Sequence, residues 1–200
     1  MPKLLKVEEA IAALDAGGVV AVPTDTVYGL AAEVSQPSAV ATLFKLKERP
    51  TFIPIPVLVD SIEQIQFLNV DWPDEAQMLA EAFWPGALTV IVSVPHDLAV
   101  MLGGEEDTAG FRIPDDDVLR RMMAVLGPFA VTSANGHGEM PCHSAYEVLE
   151  RFSSRDELVG AIDGGERSGD VSSVVDLSVT PWRVLREGAI STGELERVLN

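Results

Sequence analysis

Thr24 and Thr26 follow directly on the apolar run Val19-Val20-Ala21-Val22-Pro23, and farther along Lys45, Lys47 and Arg49 stand at alternate positions. A β-branched run ending in proline and threonines predicts a buried strand that delivers hydroxyls to a loop. The three cations close a predicted helix in a chain otherwise short of positive charge. Hydroxyls beside a compact cation cluster suit phosphate or carboxylate oxygens. That chemistry points to a site for an anionic small molecule.

Three further strand ends carry similar groups. Phe129-Ala130-Val131-Thr132 runs into Ser133-Ala134-Asn135-Gly136, whose short side chains and backbone amides could receive an oxyanion or could form a simple capped turn. Arg112 interrupts the apolar stretch Ala109–Pro114, so it either meets an Asp or Glu across a sheet or awaits a ligand carboxylate. Ser172-Ser173 and Arg186 repeat the pattern at two later strand edges, although Arg186 by itself reads as half of a surface ion pair. Other candidates are weaker. Asp115-Asp116-Asp117 precedes a helical run and reads as helix capping. His96, His137, His143 and Cys142 show no metal-ligand spacing, and the Cys142-His143 neighbours do not make a nucleophile and base. A Walker-type Gly-Lys-Ser/Thr loop and a dinucleotide fingerprint are both missing from the sequence.

These residues need a scaffold of alternating elements to bring them together. Periodicity predicts helices near 7–16, 37–48, 61–68, 74–84, 115–126, 144–153 and 191–199. Strands are predicted near 19–22, 55–59, 87–94, 109–113, 129–132, 158–162, 171–177 and 183–186. Gly17-Gly18 stops the first helix, Pro37 opens the second and Pro73-Asp74 the fourth, which Trp84-Pro85-Gly86 closes. Met1–Lys6 is expected to lead straight into the first helix. The alternation predicts an α/β fold with an open sheet of mixed direction, in a single domain over residues 1–200.

Composition narrows the partners. Fourteen Lys and Arg face 31 Asp and Glu, a formal charge of −17, and all four lysines fall within the first 47 residues. Gripping a nucleic-acid backbone over a broad face is disfavoured, while one local cationic cavity is compatible with this balance. A single cysteine permits no intrachain disulfide, and no apolar run is long enough for a membrane span. A cytoplasmic protein with no membrane partner is expected.

Seven segments in order resemble the YrdC-like family of threonylcarbamoyl-AMP synthases: Pro23–Leu30, Lys47–Pro50, Trp84–Thr89, Gly110–Pro114, Thr132–Asn135, Ser172–Leu177 and Leu185–Gly188. The resemblance implies an open twisted sheet with flanking helices and a large concave, positively charged face. It also implies an enzyme that joins L-threonine, bicarbonate and ATP into threonylcarbamoyl-AMP with release of pyrophosphate. Mg²⁺ would accompany ATP, further proteins would transfer the threonylcarbamoyl group, and tRNA would be an indirect partner. By similarity Thr26, Arg112, Ser172 and the Val131 backbone hold threonine. Arg49, Thr108, Ser133, Asn135, Arg186 and the Pro141 carbonyl hold ATP, with Lys47 and Arg49 as the catalytic cations. Ile53, Leu58 and Pro141 stand where some relatives carry polar residues. Two other readings share these motifs: a relative that binds or hydrolyses an acyl-adenylate, and a non-catalytic RNA-binding module.

Overall fold

A computed structural model describes residues 1–48, 53–136 and 138–199. The expectations for Arg49 and His137 therefore lie outside the described residues. The elements run β1 (Lys3–Leu5), α1 (Val7–Asp15), β2 (Val19–Pro23), β3 (Tyr28–Glu33), α2 (Pro37–Lys47), β4 (Val57–Leu58), α3 (Ile62–Phe67), α4 (Asp74–Phe83) and β5 (Leu88–Ser93). They continue α5 (His96–Met101), β6 (Thr108–Arg112), α6 (Asp117–Leu126), β7 (Phe129–Ser133), α7 (Ala145–Arg151), β8 (Leu158–Ile162), β9 (Ser173–Asp176), β10 (Arg183–Arg186) and α8 (Thr192–Leu199).

All the described strands join one sheet in the order β1-β8-β2-β3-β7-β4-β6-β5-β9-β10. Its direction is mixed, as predicted: β1 and β2 run parallel to β8, β4 to β6 and β5 to β9, while the other neighbours are antiparallel. Local chemistry sets the helix ends. Pro37 occupies the first turn of α2, and Glu48 ends that helix in the left-handed region at φ 50°. The Asp116 carboxylate caps α6 by accepting from Leu119 N at 2.9 Å.

Period-two alternation divides the sheet between two environments. Ala130, Val57, Phe111, Val90 and Val175 are cross-strand neighbours, and every one is fully buried. They belong to the larger core, which buries residues of α2, α3, α4, α5, α7 and α8. The opposite face packs a smaller core against α1 and α6, through Leu14, Leu119, Met122 and Met123. There α1 packs on β1, β8, β2 and β3, α6 packs beside α1, and Leu58 of β4 joins the same core. The remaining stretch, over β7, β4, β6, β5, β9 and β10, forms the wall of a cavity.

Three elements differ from expectation. Lys3–Leu5 is a short edge strand beside β8 where a direct entry into helix was expected, and three residues are too few to show a period. Tyr28–Glu33 is a strand where no element was predicted. All its residues are buried, so polar alternation is absent, and Gly29, Ala31 and Ala32 have low strand propensity. His96–Met101 is an extra helix too short to display a helical stripe.

Candidate active site

The uncovered sheet face holds a cavity of about 660 Å³. Residues facing one another across neighbouring strands share a face, so the register dictates its lining. Leu58 is opposite Arg112, Ile91 is opposite both Gly110 and Asp176, and Thr89 and Arg186 are both opposite Val174. All of these line the cavity. Thr26, Thr108, Val131, Ser133, Asn135, Pro141 and Ser172 line it as well, so these expected site residues, with Arg112 and Arg186, converge from six stretches of the chain.

Arg112 answers the question its sequence context left open, and it does so in two directions. Its Nη2 donates to Asp25 Oδ1 at 2.5 Å and its Nε to Gly86 O at 2.8 Å, while Nη1 lies 3.4 Å from Thr26 Oγ1. Only 7% of the Arg112 side chain is exposed, yet it faces the cavity. The turn supplying its partners is built around Thr24. The Thr24 hydroxyl donates to Val27 O at 2.7 Å, receives Thr26 N and Val27 N, and sits 2.9 Å from Thr26 Oγ1. Such side-chain bonding holds Thr26 at the cavity edge.

Across the cavity, Ser172 Oγ lies 3.0 Å from Thr89 Oγ1 and accepts from Arg186 Nη2 at 3.0 Å. Arg186 Nε also donates to Ser172 O at 2.9 Å. The surface ion pair expected for Arg186 is absent: no carboxylate among the described residues lies within 4.0 Å of it. Partial burial, reinforced by the charge of Arg112, weakens its hold on its proton, although a guanidinium stays charged at neutral pH. Two like charges thus converge on one space inside an acidic protein.

The third wall is held by Lys47. From the end of α2 its buried ammonium donates at 2.8 Å to Ser133 O, Ser133 Oγ and Asn135 Oδ1. Asn135 Nδ2 in turn donates to Gly136 O and Glu139 O. The Ser133–Asn135 segment is therefore both a bonded turn and part of the cavity wall, combining the two sequence readings.

Two residues at the site, Arg183 in its wall and Asp25 behind it, had no sequence signal of their own. The ladder between β9 and β10 shifts by one residue at Leu185, so that Arg183 and Arg186 both face the cavity although three positions apart. Arg183 grips the buried Asp176 through Nε and Nη2 at 3.0 and 2.9 Å. Burial raises the Asp176 pKa, but hydrogen bonds from Ser178 and Arg183 outweigh this and bring it below the ordinary value. A bulge leaves no trace in a hydropathy pattern. Asp25 was equally hidden, since nothing in sequence relates it to Arg112.

No cluster of three or more His, Cys, Asp or Glu arranged to hold a metal occurs among the described residues. Asp116, within the acidic triplet, caps α6 as expected and pairs with Arg167 Nη2 at 2.9 Å. Among the described residues no helix is long and apolar enough to cross a membrane.

The same arrangement occurs in known proteins. The Sua5, YciO and YrdC family model, described as telomere recombination, matches residues 12–188. A Pyrococcus abyssi protein named threonylcarbamoyl-AMP synthase is 36% identical over 196 residues, 97% of this chain and 57% of that protein. One of the same name from Pseudomonas putida is 31% identical over 172 residues, 86% of this chain and 93% of its own length. The chain thus spans little more than half of the archaeal relative. The crystal structure of Pyrococcus abyssi Sua5 complexed with L-threonine superposes with a TM-score of 0.88 at 35% identity, covering 100% of this chain and 59% of that one. Because the matched residues include every strand from β2 to β10, and with them the whole cavity wall, the chain belongs to the Sua5/YciO/YrdC family.

Proposed function

We propose that this chain makes threonylcarbamoyl-AMP from L-threonine, bicarbonate and ATP, releasing pyrophosphate, as the first step of a tRNA modification in the cytoplasm. The observation that carries the reading is the pairing of Arg112 and Arg186 around one cavity, with Arg186 lacking a carboxylate partner among the described residues. In a protein of formal charge −17 such a pair suits ligands that bring their own negative charge. The relatives' names and the threonine complex support the same assignment.

The chemistry follows from the placement. The threonine nitrogen bonds to the bicarbonate carbon, water leaves, and a carbamate results. A carbamate oxygen then attacks the α-phosphorus of ATP, and the bond to the β-phosphate oxygen breaks to release pyrophosphate. Two anions must meet, so cationic walls lower their repulsion, and positioning supplies much of the remaining acceleration. Arg112, Thr26, Ser172 and the Val131 backbone hold threonine in this scheme. Arg186, Thr108, Ser133, Asn135 and the Pro141 carbonyl hold ATP. Lys47 fixes the Ser133–Asn135 wall, and the motif gives Lys47 and Arg49 the catalytic role and Arg49 a part in holding ATP. Mg²⁺ arrives as part of the MgATP substrate. Separate proteins take up the product, and tRNA meets the threonylcarbamoyl group only through them.

Pyrophosphate release from MgATP and bicarbonate, measured with and without L-threonine, tests this directly. Release should require threonine. Arg186→Ala should lower kcat/KM by about 100-fold, the scale for losing a charge that stabilises the reacting group. Its Tm should fall by only a few degrees, because two hydrogen bonds to Ser172 but no ion pair among the described residues are lost. Threonine binding without pyrophosphate release would instead favour a relative that handles an acyl-adenylate made elsewhere. Tight, salt-sensitive tRNA binding without ATP would favour an RNA-binding module.

A further inference from the structure

Asp25 is the one carboxylate within 4.0 Å of Arg112 or Arg186 among the described residues, yet it is not part of the cavity lining. It lies behind Arg112. Its Oδ1 accepts from Arg112 Nη2 at 2.5 Å, and 15% of its side chain is exposed. The Arg186 charge presses on Arg112 from the cavity side. The acceptors that fix the Arg112 guanidinium against that repulsion are Asp25 Oδ1 and Gly86 O.

The backbone of Asp25 is fixed as tightly as its side chain. Gly169, on the segment that leads from β8 to Ser172, passes so close that a Cβ there would sit 2.4 Å from Asp25 O and 3.0 Å from Thr26 Cα. The neighbouring turn is closed by the Thr24 hydroxyl. Asp25 is therefore gripped from the glycine side and in turn grips Arg112.

We propose that Asp25 is the positioning residue of the site: it holds the Arg112 guanidinium in the orientation that receives the amino-acid carboxylate, and Gly169 holds Asp25. This rests on the threonine-binding reading given above. The role is one of orientation, because an acceptor oxygen at this place is what Arg112 Nη2 requires.

Calorimetric titration of L-threonine, together with separate KM values for L-threonine and MgATP, tests the inference on three variants. Asp25→Ala should weaken threonine binding by about tenfold or more, the scale for removing one partner of a buried charge-assisted bond, while the MgATP KM moves by less than about threefold. Asp25→Asn, whose amide oxygen still accepts from Nη2, should recover most of that loss. Gly169→Ala should reproduce the Asp25→Ala phenotype with Asp25 intact.

Asp25→Ala binding threonine as the parent does would overturn the proposal, as would Asp25→Asn behaving like Asp25→Ala. Equal losses for threonine and MgATP alongside a large fall in Tm would reduce Asp25 to a folding role and overturn it too. A parent protein that binds no threonine would sink both the functional reading and this one. Normal binding by the parent with an indifferent Asp25→Ala sinks this one alone.

Discussion

Cys142 shows how completely the packing of one residue can decide its chemistry. It is fully buried where β3 meets the segment after β7: Tyr28 N donates to its carbonyl, its own amide donates to Ala134 O, and Ala134 N donates to Tyr28 O. Burial, the dominant cause, pushes its thiol pKa up to about 11. The sequence offered Cys142 beside His143, a pair that invites a catalytic reading, but the His143 ring bonds Arg167 O at 2.5 Å instead. A neutral, enclosed thiol is a poor nucleophile. The folded protein should therefore resist a thiol-reactive disulfide at pH 8 and react at once after unfolding in denaturant. Fast reaction of the native protein would contradict this. The sign for stability follows from the same shift. Between roughly pH 9 and 11 the unfolded thiol releases a proton that the folded one keeps, so this residue's contribution to stability falls as pH rises through that window.

Among elements, the C-terminal segment is tied in largely through one buried hydroxyl, beside a backbone bond from Ala189 N to Val171 O. Ser173, at the start of β9, donates to Ile190 O at 2.5 Å and accepts from Gly188 N and Ile190 N at 2.9 and 3.0 Å. Beyond it α8 packs on α4, and Leu195 is fully buried. Ser173→Ala would strand three backbone groups at once. A loss of about 1–3 kcal/mol is expected, read as a Tm lower by several degrees, with cavity residues otherwise in place. An unchanged Tm would mean that α8 is held by α4 alone. The elements also show where sequence is readable. Most helices and the β-branched strands announced themselves by period, and six of the seven motif segments supply about half of the cavity lining. What stayed hidden was relational. The β3 strand is buried on both faces and shows no alternation. The shift at Leu185 depends on which strand lies alongside. The Asp25–Arg112 bond joins positions on separate strands' ends that only the sheet order brings together.

For the whole molecule, the acidic balance and the two arginines Arg112 and Arg186 of the cavity wall belong to one electrostatic problem. With a formal charge of −17, the surface repels itself, and folding gathers that charge into a smaller volume. Of the cations, Arg112, Arg120, Arg151, Arg155, Arg167 and Arg183 are each matched to a carboxylate, which leaves most of the acidic excess at the surface uncompensated. Self-repulsion of this kind acts over long distances and is screened by salt: the Debye length falls from about 30 Å at 0.01 M to about 10 Å at 0.1 M. Ion pairs weaken over the same range, but exposed pairs contribute little each, so the net repulsion decides the sign. Thermal stability should rise with sodium chloride between these concentrations, measured at constant pH. The cavity should respond in the opposite way, since Arg112 and Arg186 attract anionic ligands through the same screened field. Raising salt should thus increase Tm while raising the KM for MgATP. A Tm that falls with salt would show that paired charges outweigh the acidic excess, and a KM indifferent to salt would place nucleotide recognition on hydrogen bonds and shape alone.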